Sequence, residues 1–341
     1  MTRIMPESPP AFHAARPRLG FLGVGWIGRH RMNAILNTDK VDIVAIADPS
    51  PETAAEAGRS APDAKLVATL DELLDMDLDG VVIATPSALH AEQSIRALER
   101  GAAVFCQKPL GRTADEVKAV VGAARRADRL LGVDLSYRFT EGMRRIREVV
   151  RSGELGHIYA VDLTFHNAYG PDKPWFYDPA LSGGGCVMDL GVHLVDLALW
   201  TLDYPLVSDV TGKLFAGGEP LGGRAGRVED YAVATADLAT GATMRLACSW
   251  RLQAGCDAMI SATFYGTDGG VALRNVDGSF YDFIAERYRN TARETLATPP
   301  DDWGGRAAAD WAERLAAGER FDPEAERLVD VACVLDRIYQ R

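Results

Sequence analysis

The residues best suited to chemistry lie in the stretch LSGGGCVMDLGVHLVDLALW, positions 181–200. Asp189 and His193 stand four residues apart there, so a helix would place both side chains on one face. A neighbouring carboxylate makes a histidine a better base and fixes its tautomer. Oxidation of an alcohol requires a base that takes the hydroxyl proton, and a histidine that titrates near neutrality suits that task. Three glycines, at 183–185, permit a sharp helix entry with close backbone approach.

Two other interpretations of this pair stay open from the sequence alone. Asp189 can be an acid that the helix dipole stabilises near a helix N-terminus, with His193 a satisfied core histidine. A metal site is the third interpretation, but it needs at least one more ligand and the neighbouring sequence offers none. We therefore predict no metal.

A second candidate for chemistry is a lysine that lies just after a short apolar run. AAVFC ends at Cys106, and Gln107, Lys108 and Pro109 come next. In a doubly wound sheet the carboxyl ends of the strands face the ligand crevice, so we expect Lys108 to lie there near the nicotinamide of a bound cofactor. Its ammonium can donate to a substrate oxygen and stabilise a developing alkoxide. A solvated loop lysine is the alternative.

A glycine-rich motif precedes these residues in the chain. The motif G-x-G-x-x-G spans residues 23–28, in which the predicted cofactor-binding residues are Gly23, Gly25, Trp26, Ile27 and Gly28. It follows a predicted strand and opens a predicted helix, which is the context that a pyrophosphate-binding loop requires. Asp48 ends the next strand, where a carboxylate binds the adenosine ribose hydroxyls and repels a 2′-phosphate. The cofactor prediction is NAD, with NADP left open because Arg59 can reach the same region.

The elements that must position these residues follow from hydrophobic periodicity. Between residue 18 and about residue 137, short apolar runs alternate with amphipathic segments, which predicts a parallel, doubly wound α/β sheet. The predicted strands are RLGFLG, VDIVAIAD, KLVA, GVVIAT, AAVFC and LLGVD. In TMRLACSWR apolar and polar residues alternate with period two, typical of an antiparallel sheet with one buried face.

The predicted domain organisation has four parts. Residues 1–17 form a Pro-rich disordered leader, and 18–137 form a Rossmann domain. Residues 138–321 form an α+β domain with a large open, mainly antiparallel sheet. Residues 322–341 form a C-terminal helix that packs back near the N-terminal domain.

Composition excludes several classes of partner. The net charge of −11 over 341 residues argues against nucleic acid and anionic membranes. No apolar run approaches the ~20 residues that span a bilayer, and the N-terminus lacks the apolar core of a signal peptide. The five cysteines are odd in number and show no CxxC spacing, which indicates reduced thiols and a cytoplasmic location.

Together these pieces resemble the Gfo/Idh/MocA family of NAD(P)-dependent oxidoreductases. The matching motifs are GVGWIG (23–28), AD (47–48), ATPSALH (84–90), QKPL (107–110), YRF (137–139) and GGGCVMDLGVHLVD (183–196). The resemblance implies that the family's catalytic residues fall on Lys108, Asp189 and His193, and that Thr85, Pro86, His90 and Gln107 lie by the cofactor. It also implies a homo-oligomer, dimer or tetramer, formed through the second domain's sheet.

Two positions depart from the family motifs. Gln107 replaces the usual Glu before the lysine, and Ser87 stands where Asn is common. The neutral amide removes a negative charge beside Lys108, which makes the lysine's charged form less favoured. Gln107 can still hydrogen-bond a ribose hydroxyl.

The resulting hypothesis is an oxidoreductase that acts on a secondary alcohol or keto carbon of a sugar, inositol or similar polyol. The residues expected on the substrate side, besides Lys108 and His193, are Tyr137, Arg138, His166, Asn167, Trp175 and Tyr177. Two alternatives stay open. One is a nucleotide-sensing protein without turnover. The other is an enzyme that oxidises a sugar transiently with bound NAD to permit elimination or hydrolysis.

Overall fold

The computed structural model describes residues 16–222 and 226–341, so the predicted leader falls almost wholly outside the described residues. The first domain alternates strands and helices along the chain. Its elements are β1 (Arg18–Leu22), α1 (Trp26–Leu36), β2 (Asp42–Ala47), α2 (Pro51–Gly58), β3 (Lys65–Val67), α3 (Leu70–Leu74), β4 (Gly80–Ile83), α4 (Ser87–Glu99), β5 (Ala103–Cys106), α5 (Ala114–Ala127) and β6 (Leu131–Val133).

All six strands of this domain are parallel, in the order β3-β2-β1-β4-β5-β6. The chain winds outward from β1 to one edge and then from β4 to the other. Each predicted apolar run forms one of the strands, and β4 and β5 are buried along their whole length because helices cover both sheet faces. The predicted doubly wound fold is confirmed.

The second domain is built on one large sheet. Its elements are α6 (Glu141–Ser152), β7 (Ile158–Asn167), α7 (Pro179–Ser182), α8 (Val192–Thr201), β8 (Val207–Ala216), β9 (Glu219–Pro220), β10 (Tyr231–Leu238), β11 (Thr243–Ser249), β12 (Ala258–Gly266), β13 (Gly270–Asn275), β14 (Phe283–Arg289) and β15 (Ala292–Ala297). The strand order is β15-β14-β13-β12-β7-β11-β10-β8-β9. Only the central pair β7–β11 is parallel within the described sheet, so the predicted open, mainly antiparallel sheet is confirmed.

The period-two pattern fixes which way the sheet's side chains point. On β11, Met244, Leu246 and Cys248 are buried, while Arg245 faces the opposite, exposed side. The buried face packs against α8, which lies across the sheet and is buried along almost its whole length. A turn of π-helix, Val187–Gly191, leads into α8, so Asp189 lies in the π-turn and His193 in the α-helix.

Two helices near the C-terminus join the domains. α9 (Arg306–Ala316) packs on the first sheet, where Trp311 lies over the strand glycines Gly80 and Gly132. A Cβ on either glycine would lie within 3 Å of the Trp311 ring. The parallel sheet needs a helix to cover this face, so α9 packs with the first domain's core although it lies within residues 138–321, the range predicted for the second domain.

The last helix, α10 (Arg327–Ile338), is shared between the domains. It contacts α5 of the first domain and both α8 and β8 of the second. A short 3₁₀ turn beginning at Pro323 precedes it, and the Asp322 side chain caps that turn. No helix in residues 16–222 or 226–341 is long and apolar enough to cross a membrane.

Candidate active site

A cavity of about 1110 Å³ lies where the two domains meet. Its walls include residues just beyond the carboxyl ends of strands of the first sheet, as the switch-point rule for such sheets predicts. These are Gly25 after β1, Asp48 after β2, Ala84 and Thr85 after β4, Gln107 and Lys108 after β5, and Asp134 after β6. The opposite wall includes Asp189 and His193 of the second domain, and Tyr137, which packs into the core of that domain.

The three glycines of the first loop have different surroundings. Gly23 has a φ of +82°, and a Cβ there would lie 2.6 Å from the Ala84 carbonyl oxygen. A Cβ on Gly28 would overlap the Gly23 carbonyl oxygen, so Gly28 lets α1 pack close to the strand. A Cβ on Gly25 would meet nothing within 4 Å. The backbone at Gly25 therefore faces open space, where a ligand can approach it.

Asp48 stands beside this loop. Its Oδ2 accepts a hydrogen bond from the Val24 amide at 2.9 Å, and its Oδ1 accepts one from the Ser50 amide at 2.9 Å. The carboxylate is half-buried and lines the cavity. Because no side chain in residues 16–222 or 226–341 caps the first turn of α1, its amides can bind an anion. A dinucleotide fits this place for three reasons. The backbone at Gly25 can be approached, the start of α1 has no side-chain cap among the described residues, and two amides hold the Asp48 carboxylate.

An ion pair joins the two domains inside the cavity. The Lys108 Nζ lies 2.6 Å from Asp189 Oδ1 and 2.8 Å from the Asp189 carbonyl oxygen. Trp250 Nε1 donates to Asp189 Oδ2 at 3.0 Å. The expected pairing of Asp189 with His193 is therefore not the one observed. A charged ammonium is a stronger partner for a carboxylate than a neutral imidazole is.

His193 is buried, with 7% of its surface exposed, and it lines the same cavity. Its Nδ1 has no hydrogen-bond partner in the described part of the chain. Burial, and then the Lys108 ammonium and Arg31, hold the pKa of His193 well below its usual value of 6.5. These causes favour the neutral imidazole at pH 7, which differs from the expectation that His193 titrates near neutrality.

His90 is placed beside the cofactor loops, but both its ring nitrogens are occupied by the protein. Each lies 2.7 Å from a backbone carbonyl oxygen, one of Thr85 and one of Pro109. The ring therefore ties the loop after β4 to the loop after β5. Thr85 and Pro86 line the cavity, and the Thr85 hydroxyl is held by Gln93 at 2.6 Å. The Lys108–Pro109 peptide bond is cis.

Two of the expected substrate-side residues lie in the cavity wall. Tyr137 packs edge-on against the His193 ring at a centroid distance of 4.8 Å and touches Trp303 at the same distance. Trp175 lines the cavity and stacks on Phe176 at 3.8 Å. Aromatic rings therefore line the cavity that contains His193.

Arg138 and Tyr177 are not in the described cavity lining. Arg138 donates to both carboxylate oxygens of the buried Asp196 and to the Tyr204 hydroxyl. It follows Tyr137 in a 3₁₀ turn, and consecutive residues of such a turn point in different directions. The Tyr177 hydroxyl binds the Pro171 carbonyl oxygen at 2.9 Å and accepts from Arg251 at 3.0 Å. The expectation that these two contact substrate is not supported.

His166 and Asn167 also lie outside the described lining. Phe165 packs in the core beside His193, so the period-two alternation of β7 turns His166 to the other face of the sheet. There its Nδ1 bonds the Ser249 hydroxyl at 2.8 Å. Asn167 ends the strand under a loop, where its carbonyl oxygen accepts from the Leu252 amide at 2.9 Å.

Several lining residues are not among those expected. They include Arg31 and Asp134 from the first domain, and Phe176, Tyr281, Asp282, Asp301, Asp302 and Trp303 from the second. Asp134 carries a signal like that of Lys108, since it is the last residue of the predicted strand LLGVD and so lies at the carboxyl edge of the sheet. The residues at 281–303 carry no such signal, because only the folding of the second domain brings them to the cleft.

Comparison with known proteins agrees with this architecture. Residues 18–135 match the model described as an oxidoreductase family with an NAD-binding Rossmann fold. Residues 143–272 match the GFO/IDH/MocA C-terminal domain. The fold and site define a two-domain, dinucleotide-binding protein of the oxidoreductase type. The chain belongs to the Gfo/Idh/MocA family.

Its relatives include enzymes of sugar and cyclitol metabolism. It is 29% identical to D-glucoside 3-dehydrogenase of Escherichia coli (strain K12), over 59% of this chain and 60% of that protein. It is 30% identical to inositol 2-dehydrogenase of Rhizobium meliloti (strain 1021), over 76% of each. A structure of levoglucosan dehydrogenase with NADH and levoglucosan shares the fold, with a TM-score of 0.81 and 22% identity over 95% of this chain and 96% of that one. The alignments with the first three curated relatives cover 56–60% of their length.

Proposed function

We propose that the protein is an NAD(P)-dependent oxidoreductase acting on a secondary alcohol or keto carbon of a sugar, inositol or similar polyol. The observation that carries the proposal is the meeting of Lys108, Asp189 and His193 in the cavity that also contains Gly25 and Asp48. Bound NAD(P) supplies a hydride acceptor or donor at its nicotinamide C4. The chemistry left to the chain is binding, orientation and proton transfer.

His193 is the proposed proton acceptor during alcohol oxidation. Its imidazole is neutral at pH 7 because burial, Lys108 and Arg31 lower its pKa, so it is in the form that can accept a proton. Its buried Nδ1 lacks a partner within the described residues, although buried polar atoms are usually hydrogen-bonded. In the reverse direction the protonated ring returns the proton to the substrate oxygen.

Lys108 is the proposed group that binds and polarises the substrate oxygen. Asp189 and its carbonyl oxygen hold the ammonium in place from the other domain. Trp250 fixes the second carboxylate oxygen of Asp189, so the ion pair is constrained at both ends. A lysine held in this way offers a donor whose orientation is set before the substrate arrives.

Cofactor choice is proposed to favour NAD. The Asp48 carboxylate, fixed by two backbone amides, stands beside the phosphate loop where a 2′-phosphate would bring negative charge. We also propose a homo-oligomer formed through the outer face of the second sheet. Met259 and Tyr265 of β12 are exposed on that face. Light scattering of the purified full chain would measure the oligomeric state.

The function is tested by mixing the full chain with NAD and neutral polyols, and following NADH absorbance. Myo-inositol, a D-glucoside and levoglucosan are the first compounds to test, because the relatives named above act on or bind such molecules. The proposal expects NADH formation with at least one neutral polyol, and at least about a 100-fold lower rate in Lys108→Met. NADH binding without turnover on any polyol or ketose, in either direction, would contradict it.

A further inference from the structure

Three buried polar residues form a cluster that the alcohol chemistry does not use. Arg31 comes from α1, Gln107 from the end of β5 and Asp134 from the end of β6. Their exposed fractions are 6%, 8% and 1%, and all three line the cavity. Burial of a charged pair and a polar amide costs desolvation free energy, so the presence of this cluster requires an explanation.

The hydrogen bonds of the cluster fix the orientation of the Gln107 amide. Asp134 Oδ2 accepts from Arg31 Nε at 2.6 Å and also from Gln107 Nε2. A carboxylate paired with a guanidinium can only accept hydrogen bonds, so Gln107 must turn its nitrogen toward Asp134 and its Oε1 away. No donor in the described residues bonds Oε1, which leaves an acceptor on a residue of the cavity wall.

The cluster also explains why position 107 carries a neutral amide. A glutamate there would bring a second carboxylate against Asp134 in a buried place, with Arg31 as the one cation bonded to the cluster among the described residues. Two like charges in such a place cannot both ionise without cost. The departure from the family motif at Gln107 is thus matched to Asp134.

We propose that Asp134 and Arg31 are positioning residues: they hold the Gln107 carbonyl oxygen toward the cavity, where it accepts a hydrogen bond from a ribose hydroxyl of the bound dinucleotide. The inference rests on the proposed function, because it assumes that the cavity binds a nicotinamide dinucleotide.

Asp134 Oδ2 is the single atom that accepts from both Arg31 and Gln107, so a variant at position 134 can keep or remove both hydrogen bonds together. In Asp134→Asn the amide oxygen can take the place of Oδ2 and accept from both donors. Its amide nitrogen then takes the place of Oδ1, which has no hydrogen-bond partner among the described residues. Asp134→Leu removes the acceptor and leaves the Gln107 amide free to turn over.

The test is a fluorescence titration of NADH into the wild-type chain, Asp134→Leu, Asp134→Asn and Gln107→Glu. Asp134→Leu should raise the NADH Kd about tenfold, because Gln107 is no longer held with its oxygen toward the cavity. Gln107→Glu should also raise it about tenfold, through carboxylate repulsion. Asp134→Asn should bind NADH within about threefold of wild type, because its amide oxygen keeps both hydrogen bonds. In turnover assays Asp134→Leu and Gln107→Glu should raise the KM for NAD while kcat stays within about threefold.

Asp196→Asn is the matched control, since Asp196 is equally buried and paired with an arginine, Arg138, but lies outside the cavity lining. It should leave the NADH Kd unchanged even if it lowers the melting temperature. An Asp134→Leu or Gln107→Glu chain that binds NADH like wild type, or an Asp134→Asn chain that binds it as weakly as Asp134→Leu, would overturn the inference. If Asp134→Leu does not fold, the comparison of Asp134→Asn with Gln107→Glu decides. A wild-type chain that binds no NADH would overturn the proposed function itself.

Discussion

At Asp189 one carboxylate serves two donors from different parts of the chain. Lys108 follows a strand of the first sheet, while Trp250 follows β11 of the second, and each bonds a different oxygen. The ion pair thus fixes the lysine and spans the domain boundary. His193 is left without a protein partner for Nδ1 among the described residues. Binding of the substrate oxygen and proton transfer are therefore assigned to separate side chains.

Replacement of His193 by Asn should lower kcat by about 10²–10⁴-fold, because the proposed base is removed. NADH binding should stay within a few-fold of wild type, as measured by fluorescence titration. His166→Asn is the matched control. His166 is also a buried histidine, with a pKa lowered by burial, but it lies on the other face of the sheet. Equal losses of kcat in the two variants would remove His193 from its assigned role.

The titration of His193 provides a second prediction at this scale. Burial, Lys108 and Arg31 lower its pKa well below 6.5, so its NMR signal should show the neutral form at pH 6.5. Lys108→Met removes one of these causes and should raise the pKa of His193. The lowered pKa also makes the folded chain lose stability as pH falls below about 6.5, because only the unfolded chain then takes up the proton. A wild-type His193 that is half-protonated at or above pH 6.5 would contradict the assignment.

The sequence was sufficient to place some of the site residues in the cavity but not to specify their partners. Lys108 and Asp48 follow strands, so the topology of a doubly wound sheet predicts where they lie. Spacing along one helix suggested that Asp189 serves His193, but the cation that binds Asp189 comes from a residue 81 positions away in sequence. The motif YRF (137–139) suggests a substrate-side position for both Tyr137 and Arg138. In the structure Tyr137 lines the cavity, whereas Arg138 binds Asp196.

At the scale of elements, two glycines in the loop between β1 and α1 are required for different physical reasons. Gly28 is needed for packing, since a Cβ would overlap the Gly23 carbonyl oxygen. Gly25 is not needed for packing, because the space around it is empty, and its φ of −58° suits other residues. The glycine at 25 is therefore explained by a ligand that approaches the backbone.

Gly25→Ala should keep the wild-type melting temperature but weaken NADH binding by about tenfold or more, because the methyl group occupies the approach to the helix amides. Gly28→Ala should lower the melting temperature, because the added carbon overpacks the contact between strand and helix. Thermal unfolding and NADH titration of both variants measure the contrast. A Gly25→Ala chain that unfolds early and binds NADH normally would be inconsistent with a phosphate loop.

The elements themselves were easier to predict than their assignment to domains. The first sheet follows from short apolar runs, and the second from period-two alternation such as that of β11. The position of α9 could not be predicted, because a helix so far along the chain from that sheet gives no local indication of which sheet it covers. The sequence also does not predict which face of the second sheet His166 occupies, because that face depends on the register of β7 with β11 and β12.

At the scale of the whole molecule, the charges of the cavity indicate what it excludes. Each lysine and arginine in the described lining is already paired: Arg31 with Asp134 at 2.6 Å, Lys108 with Asp189 at 2.6 Å, and Lys173 with Asp172 at 3.0 Å. Asp282 and Asp302 line the cavity without an ion pair among the described residues. The overall charge of −11 has the same sign.

A phosphorylated form of any accepted polyol should therefore be a poor substrate. We expect its kcat/KM to be roughly 100-fold lower than that of the neutral polyol, because the phosphate finds no free cation in the described lining and meets unpaired carboxylates. Steady-state NADH formation measures the ratio, and a methyl ether at the same hydroxyl controls for size. A phosphate ester used as well as the neutral polyol would show that the charge argument is wrong.

The central claim is that Lys108 and His193 act on one hydroxyl beside the nicotinamide. Its most direct measurement uses a neutral polyol that the chain oxidises, carrying deuterium at the reacting carbon, with the NADH product analysed by mass spectrometry. The account predicts that the deuterium appears on the nicotinamide in the wild-type chain, with its rate of transfer strongly reduced in both Lys108→Met and His193→Asn. NADH formed without deuterium, or labelled at wild-type rate in either variant, would contradict it.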